Sequence, residues 1–118
     1  MPGIEVIDFD SPDESRRPEK TRVDVVRVGP TTAARFTFEP GWTWSECVKP
    51  AVGTDTCQAR HVGVVHAGRL VVSHEDGTEL ELGAGDAYVI EPGHDAWVVG
   101  DDPFVTFEFE SAEEYARG

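Results

Sequence analysis

Residues 57–97 read CQARHVGVVHAGRLVVSHEDGTELELGAGDAYVIEPGHDAW, and glycine-centred turns cut this stretch at short intervals. Ala67-Gly68-Arg69, Asp76-Gly77, Ala84-Gly85-Asp86 and Pro92-Gly93 separate valine-rich runs of strand length. That punctuation is the signature of antiparallel strands in a sandwich or barrel. The clearest hairpin is VVSHEDGTELEL. With Asp76-Gly77 as a two-residue turn, His74 faces Glu79, Ser73 faces Leu80 and Val71 faces Leu82. This register turns Val71, Leu80 and Leu82 inward and leaves Val72, His74, Glu79 and Glu81 on the other face. His74 and Glu79 then form a surface cross-strand pair.

The flanking sequence extends the pattern. Residues 21–28, 31–39, 96–100 and 104–110 also read as strands, and Ala34, Phe36 and Phe38 share one face by the two-residue period. Residues 4–9 fit a short strand at an edge or across a partner subunit. Residues 10–20 are rich in proline and charge and read as a solvated connection. The expected organisation is therefore an N-terminal strand and acidic linker over residues 1–20 and one β domain over residues 21–118. Polar and turn-forming residues predict a loop over 45–54. Ser111-Ala112-Glu113-Glu114 fits a capping box, which predicts a short C-terminal helix. The expected class is all-β: a single antiparallel β-barrel or jelly roll, whose interior holds side chains and, at one end, a small ligand.

Gly85-Asp86-Ala87-Tyr88-Val89-Ile90-Glu91-Pro92-Gly93 resembles the second motif of the cupin family, a Gly-Asp step, a short strand and a Pro-Gly loop. Gly68 matches the glycine that closes the family's first motif. Counting back from it puts His61 where the family has its glutamate ligand, and Asp55 and Cys57 where it has two histidines. The last ligand histidine of the family corresponds to Ala96. The resemblance covers roughly residues 34–110. It implies a cupin barrel, commonly a homodimer, without the usual His-His-Glu-His metal centre.

Net charge narrows the partners. Acidic residues number 23 against 10 basic ones, a formal charge of −13. With no segregated basic patch, such a chain repels nucleic acid and anionic membranes. No apolar run approaches membrane-spanning length. The first ten residues lack the pattern of an export signal, so the expected location is cytoplasmic, with Cys47 and Cys57 as reduced thiols.

Chemistry concentrates near the ligand strand. If residues 55–65 form one unbulged strand, Asp55, Cys57 and His61 all point inward. A thiolate, an imidazole and a carboxylate converging there suit a divalent transition metal, zinc or iron, with His94 of the Pro-Gly loop as a further ligand. The bland alternatives stand beside this: Cys57 as a small core residue, His61 as a hydrogen-bonded structural group, Asp55 as a turn residue, His94 as an exposed loop histidine. Trp42, Trp44 and Trp97 suit either the wall of an organic-ligand pocket or plain packing, and the Tyr88 hydroxyl is in reach of the same pocket. Two functions follow. One is a small-molecule-binding cupin with a pocket inside the barrel and no conventional metal centre. The other is a cupin metalloenzyme acting on a small organic substrate through an atypical Cys57/His61 site.

Overall fold

The computed structural model describes residues 3–109. Among them, the strands are β1 (Glu14–Arg16), β2 (Thr21–Val28), β3 (Thr31–Phe38), β4 (His61–Ala67), β5 (Arg69–His74), β6 (Glu79–Gly83), β7 (Ala87–Ile90), β8 (His94–Val99) and β9 (Phe104–Glu108). Two one-turn helices, α1 (Trp44–Cys47) and α2 (Lys49–Val52), interrupt the series after β3. The strands make two antiparallel sheets, of order β1-β2-β3-β9-β4-β7 and β6-β5-β8. The expected all-β jelly-roll class is what the chain adopts, although the two sheets are not hydrogen-bonded into a closed barrel.

The two-residue period explains the core. Val23 and Val25 of β2, Ala34, Phe36 and Phe38 of β3, and Phe104 of β9 line the inner face of the larger sheet. Leu70 and Val72 of β5 and Ala96 of β8 meet them from the smaller one. Trp42 closes this core by stacking on Phe38, ring centroids 3.9 Å apart, while its Nε1–H donates to Thr21 Oγ1 at 2.8 Å. A satisfied indole inside an apolar cluster combines large buried area with a fixed orientation.

Five local expectations are corrected. The hairpin after β5 closes with a three-residue loop: Ser73 pairs with Glu79, Val72 with Leu80 and Leu70 with Leu82. Gly77, at φ +95°, supplies the left-handed residue that ends such a loop. The one-residue shift reverses the faces of β5, so Val72 is buried and Val71 is not; Leu80 and Leu82 keep the inner side, opposite Val72 and Leu70, with Leu80 63% exposed on the edge strand β6. His74 therefore does not pair with Glu79; its ring instead contacts the Pro92 carbonyl at 2.9 Å and the Asp76 amide at 3.0 Å. Residues 4–9 form no strand, whereas residues 14–16, placed in the solvated connection, are β1 and pair with β2. The loop over 45–54 holds α1 and α2; Thr43 caps α1 by accepting from the Glu46 amide at 3.1 Å. The C-terminal helix expected over 111–116 lies outside the described residues.

One carboxylate is sunk into the outer face of the larger sheet. Asp24 of β2 is fully buried. It accepts from Ser15 at 2.8 Å, Arg22 at 2.9 Å and Arg35 at 3.0 Å. Arg35 also binds Asp10 at 3.0 Å and lies 5.7 Å from the Phe9 ring, which packs on Phe107 at 5.2 Å. The N-terminal segment is thus held across the sheet by Arg35. Burial alone pushes the Asp24 carboxyl up, but the bonds from Arg22, Ser15 and Arg35 outweigh it and hold it below the ordinary carboxylate range. A depressed folded value stabilises the fold above the unfolded value and is lost as pH falls through the folded one. Asp24→Ala is expected to cost about 2 kcal/mol in urea unfolding at neutral pH, because two guanidinium groups lose their partner. The gap to wild type should close on acidification below about pH 4.

Candidate metal centre

Three segments bring the site together. His61 opens β4 and His94 opens β8, and both side chains are buried. Cys57 lies in neither sheet. An isolated bridge joins it to His94, through Cys57 N–H to His94 O at 2.7 Å and Gly93 N–H to Cys57 O at 2.8 Å. The Cys57 Sγ, His61 and His94 donor atoms all lie within 4.8 Å of one another. The thiol contacts His61 Nε2 at 3.5 Å, and the two imidazole rings meet edge to face at 5.0 Å.

The far nitrogen of each imidazole is occupied. His94 Nδ1 bonds the Glu91 carbonyl at 2.8 Å; a carbonyl only accepts, so Nδ1 carries a proton and Nε2 is the nitrogen left for the cluster. His61 Nδ1 bonds Glu108 Oε1 at 2.6 Å. The other Glu108 oxygen accepts from the Tyr88 hydroxyl, and Tyr88 Oη lies 2.8 Å from Thr106 Oγ1. A glycine makes this possible. Gly63 of β4 faces Tyr88 on one side and Glu108 on the other. A Cβ at Gly63 would lie 2.9 Å from both the Tyr88 hydroxyl and Glu108 Cγ, and 2.3 Å from the Phe107 carbonyl. His61, two residues upstream on the same face, is then the diagonal neighbour of Glu108.

Electrostatics follow from these contacts. Burial pushes the Cys57 thiol up, but hydrogen bonds and charge from His61 and His94 pull it down to about 6. Burial disfavours the His61 imidazolium, yet Glu108 and Cys57 raise it to about 10. Burial and the Glu108 charge both hold the Tyr88 phenol protonated far above its ordinary range. The result is a thiolate–imidazolium–carboxylate array enclosed by protein.

Of the residues expected at the site, Cys57, His61 and His94 converge, and His94 is a buried strand residue rather than an exposed loop one. Asp55 does not join them. Its side chain is fully exposed and pairs with Lys49 at 3.6 Å, because the chain leaves the sheet before residue 61 and strand parity does not carry back to 55. Tyr88, Trp42 and Trp44 border a cavity of about 30 Å³ beside the histidines. Trp97 does not; it sits on the opposite face of β8 from Ala96, paired with Val71. Glu108, Thr106 and Gly63 are the contributors that sequence reasoning missed. The available signal was parity in FVTFEFE, which places an acid on the same face as Phe104 and Thr106.

A second opening lies where the sheets are not joined. The edge strands β6 and β7 flank a groove of about 370 Å³ with Val72, Leu80, Leu82 and Ala87 in its wall. Tyr88 and Ile90 border both this groove and the inner cavity.

No protein-family model matches the sequence. No curated protein matches it either. Solved structures do match. A protein of unknown function from Rhizobium leguminosarum bv. viciae 3841 aligns over 91% of this chain and 96% of its own, at a TM-score of 0.62 and 20% identity. A cupin domain from Bordetella pertussis Tohama I aligns over 80% of this chain and 95% of its own, at 0.52 and 22%. This chain has the cupin fold. KdgF from Halomonas sp. shares it over 92% of this chain and 94% of its own, at a TM-score of 0.60 and 23% identity. Within the cupin frame, the family's last ligand position falls on Ala96, which is buried on β8. The inward histidine of that strand is instead His94, two residues earlier on the same face.

The thiol array can be checked directly. In chelator-treated protein, thiolate ultraviolet absorbance, taken as the difference from Cys57→Ser, is expected to titrate near pH 6. In His61→Ala the same midpoint should rise toward or above the ordinary thiol value, about 8.5, as one cationic partner is removed from a buried group.

Proposed function

We propose that this cupin binds a divalent transition metal, zinc or iron, through Cys57, His61 and His94, and acts on a small organic molecule held in the groove between β6 and β7. The observation that carries this is the convergence of three buried donors whose two imidazoles are already oriented by partners on their far nitrogens. Such outer partners accompany histidine ligands and raise their basicity. One thiolate with two imidazoles suits zinc or iron rather than magnesium or calcium. Three protein donors is the number found in catalytic zinc sites, where closed structural sites use four. When bound, the metal would supply Lewis acidity toward a ligand oxygen.

The remaining roles belong to the chain. Glu108 holds the His61 ring and its Nδ1 proton. The Glu91 carbonyl does the same for His94. Phe36, Phe38 and Phe104 keep the cavity apolar and limit water at the centre. The groove volume of about 370 Å³ falls in the range of small-molecule sites, and its Val, Leu and Ala wall suits an apolar body. Ala96 at the family's last ligand position favours a second reading, a binding protein that holds its organic ligand in the same groove without metal.

Metal analysis of protein purified without a histidine tag separates the two. The first reading expects one zinc or iron per chain, lost in Cys57→Ala, His61→Ala and His94→Ala; metal-free wild type in metal-supplemented culture overturns it. Glu108→Gln is expected to weaken metal affinity roughly 10- to 100-fold while leaving the three donors in place. Because His61 is protonated up to about pH 10, metal must displace that proton. Affinity should therefore rise roughly tenfold per pH unit above neutrality, measured by chelator competition.

A further inference from the structure

Among the described residues, Trp44 Nε1 is the buried side-chain nitrogen or oxygen that has no hydrogen-bond partner. Its neighbour Trp42 is equally buried and fully satisfied. A buried donor left unmade costs on the order of 1–3 kcal/mol, so a native fold rarely leaves one without reason. Trp44 is only 2% exposed and lies in the wall of the same small cavity as His61 and His94. Its place there is fixed from outside. It is the first residue of α1, Thr43 caps that helix from one side, and Val48 N–H returns to the Trp44 carbonyl at 3.0 Å from the other.

The cavity sets the size of whatever satisfies this donor. About 30 Å³ holds roughly two waters, or a ligand of two or three heavy atoms. The rest of its wall is mainly apolar: Phe36, Phe38, Leu70 and Phe104. Glu108, in the same wall, is turned to His61 and Tyr88 and brings a carboxylate to the cavity. An anion is therefore disfavoured in the cavity until a cation occupies the cluster. Once one does, a cationic cluster and a buried, unpaired indole N–H belonging to residues of one cavity wall suit a small hydrogen-bond acceptor.

We propose that Trp44 is a positioning residue whose Nε1–H donates to a small acceptor ligand, an anion of two or three heavy atoms, bound between it and the Cys57–His61–His94 cluster. This rests on the metal reading above and adds to it the size, charge and orientation of the ligand at the centre. The larger organic molecule belongs to the groove; the cavity takes only the small group.

Azide is a suitable probe, with zinc as the metal so that spectra stay sharp. Zinc stoichiometry is measured first, on wild type and on Trp44→Phe. Azide is expected to bind the zinc-loaded protein and not the chelated one. In nitrogen–proton correlation spectra, the Trp44 indole signal, assigned by its loss in Trp44→Phe, should move downfield on saturation, while the Trp42 and Trp97 signals stay in place. Trp44→Phe should bind zinc as wild type does and azide roughly tenfold more weakly, the loss of one hydrogen bond to a charged acceptor. Wild type that takes zinc but binds no azide, azide binding that leaves the Trp44 signal unmoved, or full azide affinity in Trp44→Phe overturns the inference and leaves the metal reading intact. Wild type that takes no zinc and no iron overturns both, and the stoichiometry distinguishes that case from the others.

Discussion

The interior of this cupin-fold chain is arranged around a buried carboxylate. Glu108 is 3% exposed, on a strand whose other inward residues are Phe104 and Thr106. Removing such a group from water costs several kcal/mol unless its oxygens are bonded. One oxygen is bonded to His61 and the other to Tyr88. Glu108 and the Tyr88 hydroxyl meet across β4 because Gly63 places no side chain between them. The requirement propagates outward. With Nδ1 committed to Glu108, the His61 ring can turn only its Nε2 toward Cys57, and Cys57 is held in place by its bridge to His94. The orientation of the whole cluster descends from satisfying one acid.

Asp24 shows what a purely structural solution to the same problem looks like. It too is fully buried, but arginines and a serine partner it, and the guanidinium charge does not change in any ordinary pH range. Glu108 is paired with a tyrosine held protonated and with a histidine whose protonation it favours. One contact beyond that histidine lies a thiol shifted the other way, down to about 6. Strongly shifted groups gathered beside a cavity are the pattern of functional sites, whereas an acid locked between arginines is the pattern of a fold anchor. The outer face of the sheet holds the anchor, and the inner face holds the shifted array.

The fold was legible because its signals are local. Glycines at turn positions and the two-residue period of Ala34, Phe36 and Phe38 require no tertiary information. Register was less so. Asp76-Gly77 is compatible with a two- or a three-residue loop, and one residue of difference exchanged Val71 for Val72 in the core. Parity served well for Cys57 and His61 but for a reason the sequence did not contain: the chain is out of the sheet between them, and the bridge to His94, not strand geometry, turns the thiol inward. The same departure exposes Asp55. Glu108 escaped notice because an acid within an apolar strand reads as the solvent face, and only the contacts of both its oxygens identify it as interior.

The displaced ligand frame has its own logic. Where the cupin motif has a glutamate ligand, this chain has His61, and its carboxylate is supplied from β9 by Glu108, one contact further from the cluster. Where the motif has its second histidine, this chain has Cys57. The anionic group facing the two imidazoles is thus a thiol shifted toward its thiolate, and the acid stands behind one of them. A histidine at Ala96 would enter a space that Trp44, Phe104 and Leu70 already border. Placing that imidazole on His94 instead keeps the cavity small and puts the donor opposite Cys57, with which it shares backbone hydrogen bonds. Tyr88 and Ile90 border both the groove and the inner cavity, and Tyr88 is tied to Glu108. The acid that orients His61 thereby also fixes part of the partition between the groove and the cluster.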